Sequence, residues 1–223
     1  MSRSVSFCFD DGFRRTAGGV REVFEARGVH AAFCVLAAPE QTADPFIRAT
    51  PVADWGWWRE TAAAGHPVEA HGWAHERLAD LPLSEACEGL DRTLDVFRRE
   101  LPGFEPSRQV FHLAYLAAPQ AVVDHLAQKS LGVRRALGGA GLNAAPGRDI
   151  DCVTFGDPAD ERLAARIDRF LAEEDGWLVL VLHGLDGEGW GPIRRTTLEA
   201  QLDRLLSAGV RVAPPSHVLP TGG

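Results

Sequence analysis

The sequence predicts an α/β fold, an irregular or incomplete (β/α) barrel built as one domain over residues 1–223. Three observations predict it. Short apolar runs alternate with stretches of helical period. Several of the runs are almost continuously apolar, as strands buried on both faces of a parallel sheet are. There are about seven or eight of them, a number that suits a small barrel slightly better than a doubly wound open sheet.

The elements follow in order. Val5 to Phe9 is rich in β-formers and runs into Asp10-Asp11-Gly12, a turn, before a helical stretch over 18–27. The alternation then repeats. Strands are expected at 31–36, 67–71, 109–115, 133–137, 151–155, 177–183 and 210–213, with helices over 54–64, 84–100, 119–129, 160–174 and 196–208 between them. No repeat, low-complexity segment or linker divides the chain.

Composition narrows the function classes. Apolar residues make up 45% and charged residues 24% of the chain, near the globular average, and no run approaches the length of a membrane span. A net charge of -8 opposes a nucleic-acid binder, which needs clustered positive charge to displace counterions. Cys8, Cys34, Cys87 and Cys152 are far apart with no CxxC spacing and read as reduced core thiols. The start, Met1-Ser2-Arg3-Ser4, leaves no room for an export segment before the first strand, so a cytoplasmic protein is expected. Oligomeric state is not legible.

In either α/β architecture the active site gathers at the carboxyl ends of the strands. Asp10 and Asp11, His71, Tyr115 and His183 all fall at such ends. His71 and His75, in His-Gly-Trp-Ala-His, are spaced i and i+4, the spacing that lets two imidazoles share one ion on a helical turn. Eight histidines give about 0.3 such pairs by chance, and Asp before Gly is a common turn, so neither motif decides alone. Together, one carboxylate and two histidines form a three-ligand set with an open position for water, and the second carboxylate is free to act as base.

These residues match a known pattern. Ser6-Phe7-Cys8-Phe9-Asp10-Asp11-Gly12 resembles the T-F-D-D-G motif of the polysaccharide deacetylases, the NodB-type carbohydrate esterase family four. His71 to His75 resembles their H-x-x-x-H motif, and Leu180-Val181-Leu182-His183 their closing motif. The resemblance implies that Asp10 is the general base, that Asp11, His71 and His75 hold the metal, that His183 protonates the leaving group, and that Tyr115 lends its backbone N–H to the oxyanion. It implies one divalent ion, zinc by preference, with cobalt, nickel or iron also suited to the ligand set. Two motifs depart from the pattern. The third, R-x-P-Y, reads His112-Leu113-Ala114-Tyr115 and lacks its arginine, for which Arg148 is the candidate replacement. The fourth, D-x-x-D-W, has only Asp149 and Asp151 near its place.

The expected activity is removal of an acetyl or similar small acyl group from an amide nitrogen on a sugar-containing substrate. The expected partner is a small acylated amino sugar or related amide, with no nucleic acid and no membrane. Two alternatives stay open: hydrolysis of cyclic imides or ureides on the same scaffold, and an inactive binding protein. Trp73 and Trp190 are the candidates to stack on a sugar ring.

Overall fold

The computed structural model describes residues 3–220, so the reading of Met1 and Ser2 as a start without an export segment lies outside the described residues. The strands are β1 (Ser4–Asp10), β2 (Ala32–Val35), β3 (Val68–Ala70), β4 (Val110–His112), β5 (Gly132–Arg135), β6 (Leu142–Asn143), β7 (Asp149–Asp151), β8 (Val153–Thr154), β9 (Trp177–Leu182) and β10 (Arg211–Val212). The helices are α1 (Arg14–Glu25), α2 (Pro45–Ala49), α3 (Trp55–Ala63), α4 (Leu83–Glu100), α5 (Gln120–Ala127), α6 (Ala159–Glu173), α7 (Arg195–Ser207) and α8 (Pro215–Val218). Among the described helices none is long and apolar enough to cross a membrane.

The strands form two hydrogen-bonded sheets. One runs β3-β2-β1-β9-β6, with β8 also on β9 and β10 also on β1, and the other runs β4-β5-β7. Every pairing is parallel except β6 with β9. At one seam the Glu69 carboxylate of β3 accepts from the Val110 N–H of β4 at 3.3 Å, a side-chain link where a ladder is absent. At the other, the chain passes from β7 to β8 through Cys152, and the Asn143 side chain of β6 accepts from the Asp151 N–H of β7 at 2.9 Å. The result is the expected incomplete barrel.

Strand alternation sorts side chains into two layers. On β1, Val5, Phe7 and Phe9 face outward and pack with α1 residues Val20, Val23 and Phe24, whose spacing makes one apolar helix face. Phe24 meets Phe7 edge-on at 5.6 Å. Leu178, Leu180 and Leu182 of β9 join the same outer core. Cys8 points inward, and with Cys34, Val110, Ile150, Cys152, Trp177, Val179 and Val181 it forms a separate inner cluster. Both faces of β1 and β9 are therefore buried, which is why those strands read as unbroken apolar runs.

The short elements α2, β6 and α8 lie outside the expected set, and three of the expected elements differ in their bounds. Helix α1 begins at Arg14 rather than residue 18, because the Asp11-Gly12 turn takes only two left-handed residues. The strand expected through residue 115 stops at His112, since Tyr115 (φ 53°) and Leu116 (φ 58°) leave the extended region. The strand expected over 151–155 is two strands, split at Cys152 where the chain changes sheets.

Candidate active site

Strand β1 delivers two carboxylates to the mouth of the barrel. Asp10 ends the strand facing inward, and Asp11 then takes φ 73° and Gly12 φ 79°, so the chain reverses while both acids stay at the rim. Any Cβ on Gly12 would lie 3.1 Å from the Trp58 ring, so the turn needs glycine for space as well as conformation.

Asp10 is gripped from across the barrel. Arg134 of β5 donates from Nη1 to Oδ1 at 3.0 Å and from Nη2 to Oδ2 at 2.7 Å, a bidentate pair with both side chains buried. Burial alone would push the Asp10 carboxyl up. The Arg134 guanidinium, helped by His71 and His183, more than offsets it and holds Asp10 well below the usual carboxylate range. Asp10 is thus an ionised, oriented acceptor at neutral pH.

Asp11, His71 and His75 converge beside it. His71 Nε2 and His75 Nε2 each lie 3.6 Å from Asp11 Oδ1, too far for a hydrogen bond. It is close to the edge of a tetrahedron of ligands about 2.05 Å from one ion, roughly 3.4 Å. Asp11 Oδ1 and His71 Nε2 are buried with no hydrogen-bond partner, an expensive state unless a cation satisfies them. The other ring nitrogens are engaged as those of metal-ligating histidines usually are: His71 Nδ1 meets the His112 carbonyl at 2.9 Å and His75 Nδ1 meets Asp44 Oδ2 at 3.1 Å. Burial, then the neighbouring His71, lowers the His75 pKa, which favours the neutral imidazole that a metal requires. The residues fit a divalent ion.

A cavity of about 370 Å³ opens over this set, lined also by Asp44, Phe46, Arg77, Tyr115, Thr154, His183 and Trp190. His183 enters it from the end of β9, on the far side of β1 from His71, with its ring edge-on to Trp190 at 4.9 Å. Tyr115 lies 4.4 Å over the His75 ring and donates its hydroxyl to Asp44 Oδ2 at 3.2 Å. Six described non-glycine residues have φ in the left-handed region, and four of them, Asp11, His75, Tyr115 and Leu116, line this cavity. Such backbone costs about 1–3 kcal/mol per residue, and its concentration here marks the cavity as the part of the fold built for chemistry.

Six of the residues expected from sequence meet in this one cavity: Asp10, Asp11, His71, His75, Tyr115 and His183. Arg148 does not. It sits at the amino end of β7, where Nη1 donates to the Ala127 carbonyl at 2.8 Å, because the loop before a strand opens on the opposite end of the barrel. Asp149 pairs with Arg135, and Asp151 accepts from the Leu137 and Gly141 amides, so neither reaches His183, whose Nδ1 has no partner among the described residues. Trp73 lies outside the cavity, donating to Gln41 beneath the Arg92 guanidinium, whereas Trp190 is in its wall.

Two residues escaped the sequence reading. Arg134 had a signal: in Val133-Arg134-Arg135 of a strand, neighbours point to opposite faces, so one of the two arginines had to point inward. Asp44 had the signature of a helix cap before Pro45, and it does cap α2 through Oδ1. That leaves Oδ2 for His75 and Tyr115.

Comparison with known proteins identifies the family. The sequence profile described as polysaccharide deacetylase matches residues 1–136. The chain belongs to the polysaccharide deacetylase family. No curated protein matches it in sequence. Among solved structures, it is similar to the Xyl-CE4 domain of a multidomain xylanase from the hindgut metagenome of Trinervitermes trinervoides, at 15% identity, 98% coverage of this chain and 90% of that one, and a TM-score of 0.66. A family 4 acetyl xylan esterase from Clostridium thermocellum, in complex with a cobalt ion, gives 18% identity, 98% and 94% coverage, and a TM-score of 0.66. BA3943 of Bacillus anthracis, a CE4 family pseudoenzyme, gives 13% identity, 99% and 66% coverage, and a TM-score of 0.67.

Membership supports a deacetylase, an enzyme acting on acetylated sugars. The cation that the resemblance led one to expect at His112, and to seek in Arg148, is supplied beside Asp10 by Arg134, which pairs in register with His112 one strand over.

Proposed function

We propose that the protein is a metal-dependent hydrolase that removes an acetyl or similar small acyl group from an amide nitrogen of a sugar-containing substrate. The observation that carries this reading is the pair of buried, unpartnered ligand atoms, Asp11 Oδ1 and His71 Nε2, set 3.6 Å apart beside the ionised Asp10. Asp11, His71 and His75 would hold one divalent ion, zinc by preference. When bound, that ion supplies Lewis acidity, lowering the pKa of water to about 7 and polarising a carbonyl oxygen.

The protein's own groups do the rest. Asp10, fixed by two Arg134 donors, accepts the proton of the attacking water on a remaining lone pair. His183, from the opposite wall, protonates the departing nitrogen, without which an amine is a poor leaving group. Tyr115 walls the site against His75, and its backbone N–H is the proposed partner of the developing oxyanion, a contribution of roughly 3–4 kcal/mol where such donors have been removed.

The cavity, about 370 Å³, is at the low end of small-ligand sites, which supports a short acylamino sugar over a long polymer. The test is acetate release from N-acetylglucosamine, its short oligomers and acetylated xylan, each with added zinc or cobalt. The reading expects turnover of the short N-acetyl substrates and none by Asp11→Asn. Absence of acetate from every substrate by the metal-replete protein would contradict it and favour the non-catalytic alternative, which the similarity to a pseudoenzyme keeps in view.

Asp44 gives a sharper check. Asp44→Asn retains an α2 cap but removes the charge behind His75, and metal affinity is expected to fall about 10–100-fold while the fold persists. Isothermal titration with zinc measures it. An unchanged affinity would remove Asp44 from the site.

A further inference from the structure

Below the mouth of the barrel lies a second group of ligand-type side chains that the proposed chemistry does not use. Cys8 of β1, Cys34 of β2 and His112 of β4 all point into the inner core, and one ligand atom from each lies within 4.8 Å of the others. All three residues are fully buried, and both thiols are free. His112 Nε2 meets Glu69 Oε2 at 2.6 Å, while its Nδ1 is buried without a partner. The company it keeps is the Cys8 thiol, a weak donor, so the ring nitrogen is poorly satisfied in a dry interior beside two thiols.

A disulfide does not account for this arrangement. In the parallel ladder Cys8 is in register with Ala32 and Asp10 with Cys34, so the two cysteines are offset by two residues. A strand spacing of about 4.8 Å and an offset of about 6.6 Å put their Cα atoms roughly 8 Å apart, beyond the reach of a disulfide without backbone movement.

We propose that Cys8, Cys34 and His112 form a second, structural metal site for a thiophilic divalent ion, zinc by chemistry, one layer beneath the Asp11, His71 and His75 set. Two thiolates about 2.3 Å and one imidazole about 2.05 Å from a shared ion stand roughly 3.6–3.8 Å from one another, inside the observed spacing. Glu69 on the far side of the His112 ring is the carboxylate that fixes the tautomer of a ligating histidine. Binding releases one proton from each thiol, so the ion and its two thiolates are neutral as a unit and add no net charge to the core. The two sites differ in softness, thiolate below and carboxylate above, so they are separable by spectroscopy. They are also joined, because the His112 carbonyl orients His71.

The test is anaerobic titration of the reduced, chelator-treated full chain with cobalt, following the near-ultraviolet thiolate-to-cobalt charge-transfer band, which the upper site cannot produce. The proposal expects two cobalt ions per chain, with one of them giving the band. His71→Ala should fall to one ion and keep the band, and Cys8→Ser/Cys34→Ser should lose the band and keep the other ion. Should that variant fail to fold, Cys87→Ser/Cys152→Ser, whose only thiols are the two proposed ligands, must still show the band. Cobalt binding with no band in the wild type, or a band lost from Cys87→Ser/Cys152→Ser, overturns the site. Neither result touches the upper site, which is read from the ion that remains.

Discussion

Arg134→Met is expected to lower the unfolding free energy by about 3–5 kcal/mol, the cost of leaving a buried charge without its partner. Both members of the pair are out of water, so no solvent screening softens the loss. The pH dependence should change sign. In the wild type the folded-state pKa of Asp10 is depressed below its unfolded value near 3.9, so the pair's stability is fully present above about pH 4 and is lost as pH falls through the folded value. In Arg134→Met, burial is no longer offset by the guanidinium, the Asp10 carboxyl rises, and the penalty is largest at neutral pH and shrinks on acidification. Urea unfolding at pH 4 and 7 measures this. An Arg134→Met penalty that is the same at both pH values would show that the Asp10 contact is not what Arg134 contributes.

The second large effect is kinetic. Asp10→Asn keeps the shape of the side chain and removes the proton acceptor, and kcat should drop about 10²–10⁴-fold with metal content unchanged, since Asp11, His71 and His75 are untouched. Asn also leaves the guanidinium unpaired, so the variant loses stability as Arg134→Met does. The double variant Asp10→Asn/Arg134→Met removes both charges, and its stability loss should be smaller than the sum of the two single losses while its activity stays at the Asp10→Asn level. Stability and rate are thereby separated at one residue pair. A retained kcat in Asp10→Asn would move the base elsewhere in the cavity.

Much of this is legible in the sequence. The unbroken apolar runs at 5–9 and 177–182 announced strands buried on both faces, and the polar residues that end them sit at the carboxyl ends because a parallel barrel puts its loops there. Asp11, His71 and His75 are legible as a set, but the helical turn expected to join His71 and His75 is a loop in which Gly72 (φ 108°) and His75 (φ 65°) are left-handed, so the two rings converge by another route. Arg134 has only its strand parity as a signal, since its partner is 124 residues away on β1 of the other sheet and only the packing of the two sheets across the barrel brings them together. Arg148 was misplaced for the matching reason: a residue before a strand and a residue late in one lie at opposite ends of the barrel. Asp44 was hidden by its own second task, as a capping aspartate looks complete with one oxygen employed. In the sequence His112 is a substitution within a motif, and only the inward parity of β1, β2 and β4 sets it beside Cys8 and Cys34.

Elemental analysis of wild type and His71→Ala, with acetate release assayed on the same samples, tests whether Asp11, His71 and His75 hold the metal that the hydrolysis needs. The wild type is expected to hold one more divalent ion per chain than His71→Ala, and that ion is lost together with acetate release. A wild type that takes up no more metal than His71→Ala after reconstitution, or a His71→Ala protein that still releases acetate at the parent rate, would contradict it.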